Sequence, residues 1–232
     1  MRAAALVWLA PLSFLAACTP QPDDTRFPQP DRPVSNLGSN QFSTEDQRDS
    51  RGEARSVMDL AAIEEGMTVA DIGAGNGYYT VRLAERVGEN GRVLAQDIDQ
   101  DALDRLARRV ERYRLDNVSI QRGEFEDPRL PDDSFDRIFM VHMYHEIGQP
   151  YEFLWNMWPA LREKGQVIVV DRDQPTDSHG IPPELLFCEF DQVGFKLVEF
   201  VERPDLAGYF ARFERAESRP EPGSITACPN AS

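Results

Sequence analysis

Residues 69–78 read Val69-Ala-Asp-Ile-Gly-Ala-Gly-Asn-Gly-Tyr78, an apolar strand that meets glycine at every second position and then passes into a helical pattern. Gly73 lets the chain leave the strand tip sharply, and Gly75 and Gly77 bring the backbone close to a bound molecule with no Cβ in the way. The first N–H groups of the helix that follows point into the same crevice. A dinucleotide fingerprint, G-x-G-x-x-G, needs its third glycine at position 78, where this chain has Tyr78. The spacing therefore argues against NAD and FAD, and a nicotinamide oxidoreductase fails on that residue.

Outward from this stretch, strands and helices alternate. Strands are expected over 68–72, 92–97, 118–121, 135–141 and 166–171, with helices over 78–88, 100–113, from Pro150 onward, and 183–193. Such alternation implies a parallel sheet with helices on both faces. Upstream, residues 46–63 read as one helix, with Val57, Leu60, Ala61 and Glu64 near a 3.6 spacing and Gly66 as its stop, placed to cover the crevice mouth. In helix 100–113 an apolar stripe of Leu103, Leu106, Ala107 and Val110 faces the sheet. The arginines between Arg105 and Arg114, interrupted by Glu111, read as its solvated face. Phe153, Leu154, Met157 and Trp158 read as core.

Asp71-Ile-Gly-Ala-Gly-Asn-Gly77 resembles motif I of the class I S-adenosylmethionine-dependent methyltransferases. Three later segments agree with that family in order. Arg92-Val-Leu-Ala-Gln-Asp97 is similar to its second strand, ending in the acid that accepts from the ribose hydroxyls. Gly123-Glu-Phe-Glu-Asp127 with Leu130 to Ile138 resembles its adenine-contacting turn and fourth strand, and Leu161 to Val169 its helix end, glycine turn and fifth strand. The resemblance implies a Rossmann-like α/β fold: a seven-stranded, mostly parallel sheet with helices on both faces, closed by a C-terminal antiparallel hairpin from the runs 195–201 and 209–215. It implies S-adenosyl-L-methionine as cofactor. Asp71, Gly73, Ala74, Gly75 and Gly77 would hold the methionine part, Asp97 with Ile98 the ribose, and Glu124 with Phe125 the adenine, with His142 also on the cofactor side.

Composition narrows the partners. The 232-residue chain carries a formal charge of −15, which disfavours nucleic acid as a partner because phosphate binding draws on clustered Lys and Arg. Residues 1–17 form a secretory signal with one basic residue and an apolar run, too short to span a membrane. Leu15-Ala-Ala-Cys18 resembles the bacterial lipobox, which implies acylation of Cys18 and a membrane contact through lipid only; Thr19 after it implies the outer membrane, on the periplasmic face of the cell envelope. Proline-rich residues 18–44 are expected to form a disordered tether, residues 45–216 the methyltransferase domain, and residues 217–232 a loose tail. Cys188 and Cys228 remain as a pair in an oxidising compartment, open to a disulfide or to two free thiols.

Past the fourth strand lies Val141-His-Met-Tyr-His-Glu146, where the family places residues over the reactive methyl group. Tyr144, His145 and Glu146 are the catalytic candidates, able to position a substrate hydroxyl or amine and take its proton. A capped loop in which His145 bonds a backbone carbonyl is the plainer reading. No metal site is read here, because the loop has no helical i, i+4 ligand pair and no cysteine; His179, in the polar segment after the fifth strand, is a further substrate-side candidate. Two functions compete: a methyltransferase acting on a small-molecule acceptor, and a binding lipoprotein that kept the cofactor fold without catalysis.

Overall fold

The computed structural model describes residues 26–36, 44–206 and 208–230. Cys18 and the signal segment lie outside the described residues. The elements run α1 (Glu45–Ser50), α2 (Glu53–Leu60), β1 (Thr68–Ile72), α3 (Tyr78–Val87), β2 (Arg92–Asp97), α4 (Gln100–Tyr113), β3 (Val118–Arg122), β4 (Phe135–Val141), α5 (Pro150–Met157), β5 (Leu161–Asp171), α6 (Pro183–Gln192), β6 (Phe195–Arg203) and β7 (Gly208–Arg215). Among the described residues no helix is long and apolar enough to cross a membrane.

The seven strands order as β3-β2-β1-β4-β5-β7-β6, with β7 antiparallel to both neighbours and the other pairs parallel. This is the Rossmann-like sheet with its C-terminal hairpin, as the sequence reading expects. The period-two alternation of the central strands sends Ala70, Ile72, Ile138, Met140, Val167 and Val169 into one core, and Val69, Phe139, Ile168 and Val170 into another. Helices α5 and α6 cover the first core with Leu154, Met157, Leu186 and Phe190; α2 and α3 cover the second with Val57, Leu83 and Val87. Chain order reverses between β1 and β4, so the crevice beyond their carboxyl ends is the place where such sheets bind ligands.

Four local expectations are corrected. The helix expected over 46–63 is two, broken at Gly52, which takes φ 65°. Gly165 makes no turn: it lies inside β5, at a bulge where Phe135 and Arg137 of β4 face Leu161 and Gln166. On α4 the buried residues are Ala102, Leu103 and Leu106, while Ala107 is exposed.

The fourth correction concerns both ends of the domain. Of the expected tether, residues 26–36 pack onto the domain, with Phe27, Arg32 and Ser35 buried and the Phe27 ring edge-on to Trp155 at 5.7 Å. The tail is bound as well. Cys188 of α6 and Cys228 form a disulfide with Cα atoms 6.0 Å apart, Cys228 N–H donates to Tyr151 Oη at 2.7 Å, and Ile225 is buried. Composition marked both segments as loose because prolines and polar residues dominate them; a few buried anchors suffice to order them.

Candidate active site

The crevice is a cleft of about 830 Å³ at the carboxyl ends of the strands, lined from β1 and α3 by Gly73, Ala74, Gly75, Asn76 and Tyr78, and from β2 by Gln96, Asp97, Ile98 and Asp99. Sequence dictates the first wall locally. Gly73, Gly75 and Gly77 take φ of 66°, 53° and 83°, a region closed to most side chains. A Cβ at Gly77 would lie 2.3 Å from Leu106 Cδ1, so this residue works behind the wall by letting α4 pack close. A Cβ at Gly75 would meet nothing within 4 Å; its half-buried backbone lines the cleft, and its N–H donates to Asp97 Oδ2 at 2.8 Å. The other oxygen of Asp97 accepts from Asp99 N–H at 2.9 Å. The carboxylate thus faces the cleft from a fixed position.

Asp71 is elsewhere. It is buried beneath the loop, off the cleft wall, and accepts from Thr80 Oγ at 2.5 Å. Burial pushes its carboxyl up to about 6, against the opposing pull of the Thr80 bond. Its work is to pin α3 to β1, a correction to a direct contact with the cofactor.

The opposite wall comes from the loop after β4 and the segment after β5: His142, Met143, His145, Glu146, Ile147, Arg172 and His179 all line the cleft. His142 sits in the left-handed region at φ 55°, and burial holds its imidazole below the usual 6.5 despite the carboxylates of Asp171 and Glu53. His145 is fully buried as a residue, with Nδ1 2.9 Å from both carboxylate oxygens of Asp171 at the end of β5. A carboxylate accepts, so Nδ1 donates, which leaves Nε2 as the nitrogen toward Glu146, 4.0 Å from Oε1.

Tyr144 does not join them. Its side chain is fully buried on the far side of the loop, where Oη donates to Glu189 Oε2 at 2.7 Å and the ring packs 5.3 Å from Phe190. Burial and the Glu189 charge raise its hydroxyl well above the usual value of 10. The structure corrects a catalytic role for Tyr144 to a structural one: a tight turn over Tyr144–Glu146 sends neighbouring side chains to opposite sides.

At the open end, Phe125 lines the cleft with 61% of its surface exposed, and Glu124 beside it is paired with Arg129. Residues that sequence reasoning passed over also line the cleft. Arg48 comes from α1, ion-paired to Glu53 and stacked 3.8 Å from the Tyr78 ring centroid. Burial alone would raise the Glu53 carboxyl, yet the bond and charge of Arg48 bring it below the ordinary range. Arg48 gave no signal because it stands in a polar run; Asp171, at a strand's carboxyl end, was visible by position but not by partner.

A family model described as a methyltransferase domain matches residues 63–185, more than half of the chain. The chain belongs to this methyltransferase family. A demethylmenaquinone methyltransferase of Listeria welshimeri is 26% identical over 121 residues, covering 52% of this chain and 51% of that protein. A ubiquinone/menaquinone biosynthesis C-methyltransferase of a Marinomonas species is 28% identical over 148 residues, 62% of this chain and 55% of that one. The chain thus spans about half the length of these curated relatives. A crystal structure of a SAM-dependent methyltransferase from Aquifex aeolicus superposes with a TM-score of 0.63 at 24% identity, over 69% of this chain and 87% of that one, a likeness of fold.

The cleft of this methyltransferase domain fits S-adenosylmethionine, the cofactor that the resemblance of residues 71–77 implies. Its volume lies in the range of small-molecule sites. A side chain at Gly75 would project into its open space, and the fixed carboxylate of Asp97 and the exposed ring of Phe125 face the same space. These are the groups an amino-acid end, a ribose and an adenine require.

Proposed function

We propose that the protein transfers a methyl group from S-adenosylmethionine to a small-molecule acceptor, while a lipid on Cys18 holds it to the bacterial cell envelope, on the periplasmic face of the outer membrane. The observation that carries the reading is a single cleft with two unlike walls: glycine-loop backbone with Asp97 on one, and His145, backed by Asp171, with Glu146 on the other.

The cofactor, when bound, supplies a methyl group already activated on a sulfonium. What remains for the chain is to hold the acceptor atom in line. In this reading the backbone of Gly73, Ala74 and Gly75 cradles the amino-acid end, Asp97 accepts from the ribose, with Ile98 beside it, and Phe125 covers the adenine. His142, His145 and Glu146 orient the acceptor's oxygen or nitrogen. The quinone-related names of the curated relatives point to a ring-bearing acceptor, and Met143, Ile147 and Phe153 give the cleft an apolar edge suited to a ring.

Calorimetry on the purified protein tests the reading: S-adenosylmethionine and S-adenosylhomocysteine should both bind at micromolar levels, and the absence of both overturns it. Binding with no turnover over a panel of quinols and phenols would favour the non-catalytic lipoprotein instead. Fatty-acid labelling that marks the native chain and spares Cys18→Ser supports the anchor; no label on the native chain removes it.

A further inference from the structure

The polar wall holds three side chains from two segments, adjacent His145 and Glu146 in the loop after β4 and His179 in the segment after β5. One ligand atom each from His145, Glu146 and His179 lie together, all within 4.8 Å of one another, and all three residues line the cleft. Two imidazoles and one carboxylate on the wall of an open cavity are the donor set of zinc sites that keep a coordination position for water or substrate. Ligand atoms around a tetrahedral zinc stand about 3.4 Å apart at bond lengths near 2.1 Å, so rotations closing up to about 1.4 Å complete the geometry.

The surroundings carry the second observation. Metal-bound histidines commonly donate their other ring nitrogen to a carboxylate that fixes tautomer and ring orientation. His145 does so, with Nδ1 2.9 Å from both oxygens of the fully buried Asp171, which directs Nε2 toward Glu146. The two ligand-bearing segments are also tied to each other by the N-terminal strap, residues 26–36. Arg32 donates to the carbonyls of Ile147 at 3.2 Å and His145 at 3.5 Å, while Ser35 Oγ accepts from His179 N–H at 3.2 Å. One short segment therefore sets the distance between the loop after β4 and the segment after β5. His179, like His142, is held in the left-handed region, at φ 58°.

We propose that His145 Nε2, the Glu146 carboxylate and the His179 imidazole form a site for one divalent first-row transition metal, of which zinc is the probe, with its remaining position open to the cleft. An oxygen of the acceptor would occupy that position; this last role rests on the function proposed above, whereas metal binding does not.

The test is equilibrium dialysis of the full chain, purified in detergent, against zinc, with bound metal counted by mass spectrometry. One zinc per chain is expected. His179→Ala and Glu146→Gln should each weaken binding by about 100-fold, and Asp171→Asn by about 10- to 100-fold. Cobalt(II) in place of zinc should give visible absorption bands that vanish in His179→Ala, and far-ultraviolet dichroism of each variant shows that the fold persists. Zinc affinity weaker than roughly 0.1 mM, or unchanged in His179→Ala, overturns the site. Calorimetry with S-adenosylhomocysteine on the same preparation separates the two claims: cofactor binding without zinc defeats this site alone, and zinc binding without cofactor defeats the methyltransferase reading alone.

Discussion

Arg32 donates from Nε to Glu189 Oε1 at 2.7 Å, a fully buried ion pair between residues 157 positions apart, and Tyr144 holds the other oxygen of the same carboxylate. Burial opposes the charge on Arg32, but Glu189 more than restores it and raises the guanidinium above its ordinary value. Arg32→Ala would leave Glu189 buried without its cation, and removing one partner of such a pair costs about 3–5 kcal/mol. Urea unfolding should register a loss of that order, with much of it recovered in the double variant Arg32→Met, Glu189→Met. A loss within about 0.5 kcal/mol would show that the strap contributes nothing to the fold.

Asp97→Ala should weaken S-adenosylhomocysteine by about 1.5–3 kcal/mol, the range for hydrogen bonds to a charged group, or roughly ten- to a hundredfold in Kd. The same change takes the acceptor away from Gly75 N–H, so Asp97→Asn, which keeps an oxygen there, should fall between the two. Calorimetry with unchanged affinity in Asp97→Ala would mean that the ribose sits elsewhere.

Asp71 links stability to pH. Its folded-state pKa of about 6 stands above the usual 3.8, so the folded protein holds this proton more tightly than the unfolded chain. The contribution is fully present below about pH 4 and is lost as pH rises through 6; the gap corresponds to ~3 kcal/mol. Asp71→Asn, always neutral, should therefore gain on the native chain between pH 5 and pH 7.5, by about 1.4 kcal/mol, the remainder of the ~3 kcal/mol falling below pH 5. Chemical denaturation at the two pH values measures this, and a difference that does not grow with pH would refute the buried-carboxyl account.

The Cys188–Cys228 bridge closes a loop of 40 residues. Its removal by Cys188→Ser with Cys228→Ser should cost about 2–4 kcal/mol through the freedom returned to the unfolded chain. Thermal unfolding with and without reductant gives the check, and proteolysis near Pro220 should rise in parallel as the tail is released.

What residues 69–78 specify is specified nearby. An apolar period of two, glycines where φ must be positive and a helical pattern behind them act within one strand and one turn, so the order of elements, the mostly parallel sheet and the cleft wall of Gly73, Gly75 and Asp97 could be read from the chain. Tertiary structure decided the other wall. Whether Tyr144 or His145 faces the cleft depends on a tight turn and on which buried partner, Glu189 or Asp171, each side chain meets; those partners come from α6 and β5, and neither adjoins the loop in sequence. The same holds for Arg32 in a proline-rich segment and for Cys228 in a polar tail, because a buried ion pair or a covalent bridge orders a stretch whose own composition has too little apolar surface to order itself.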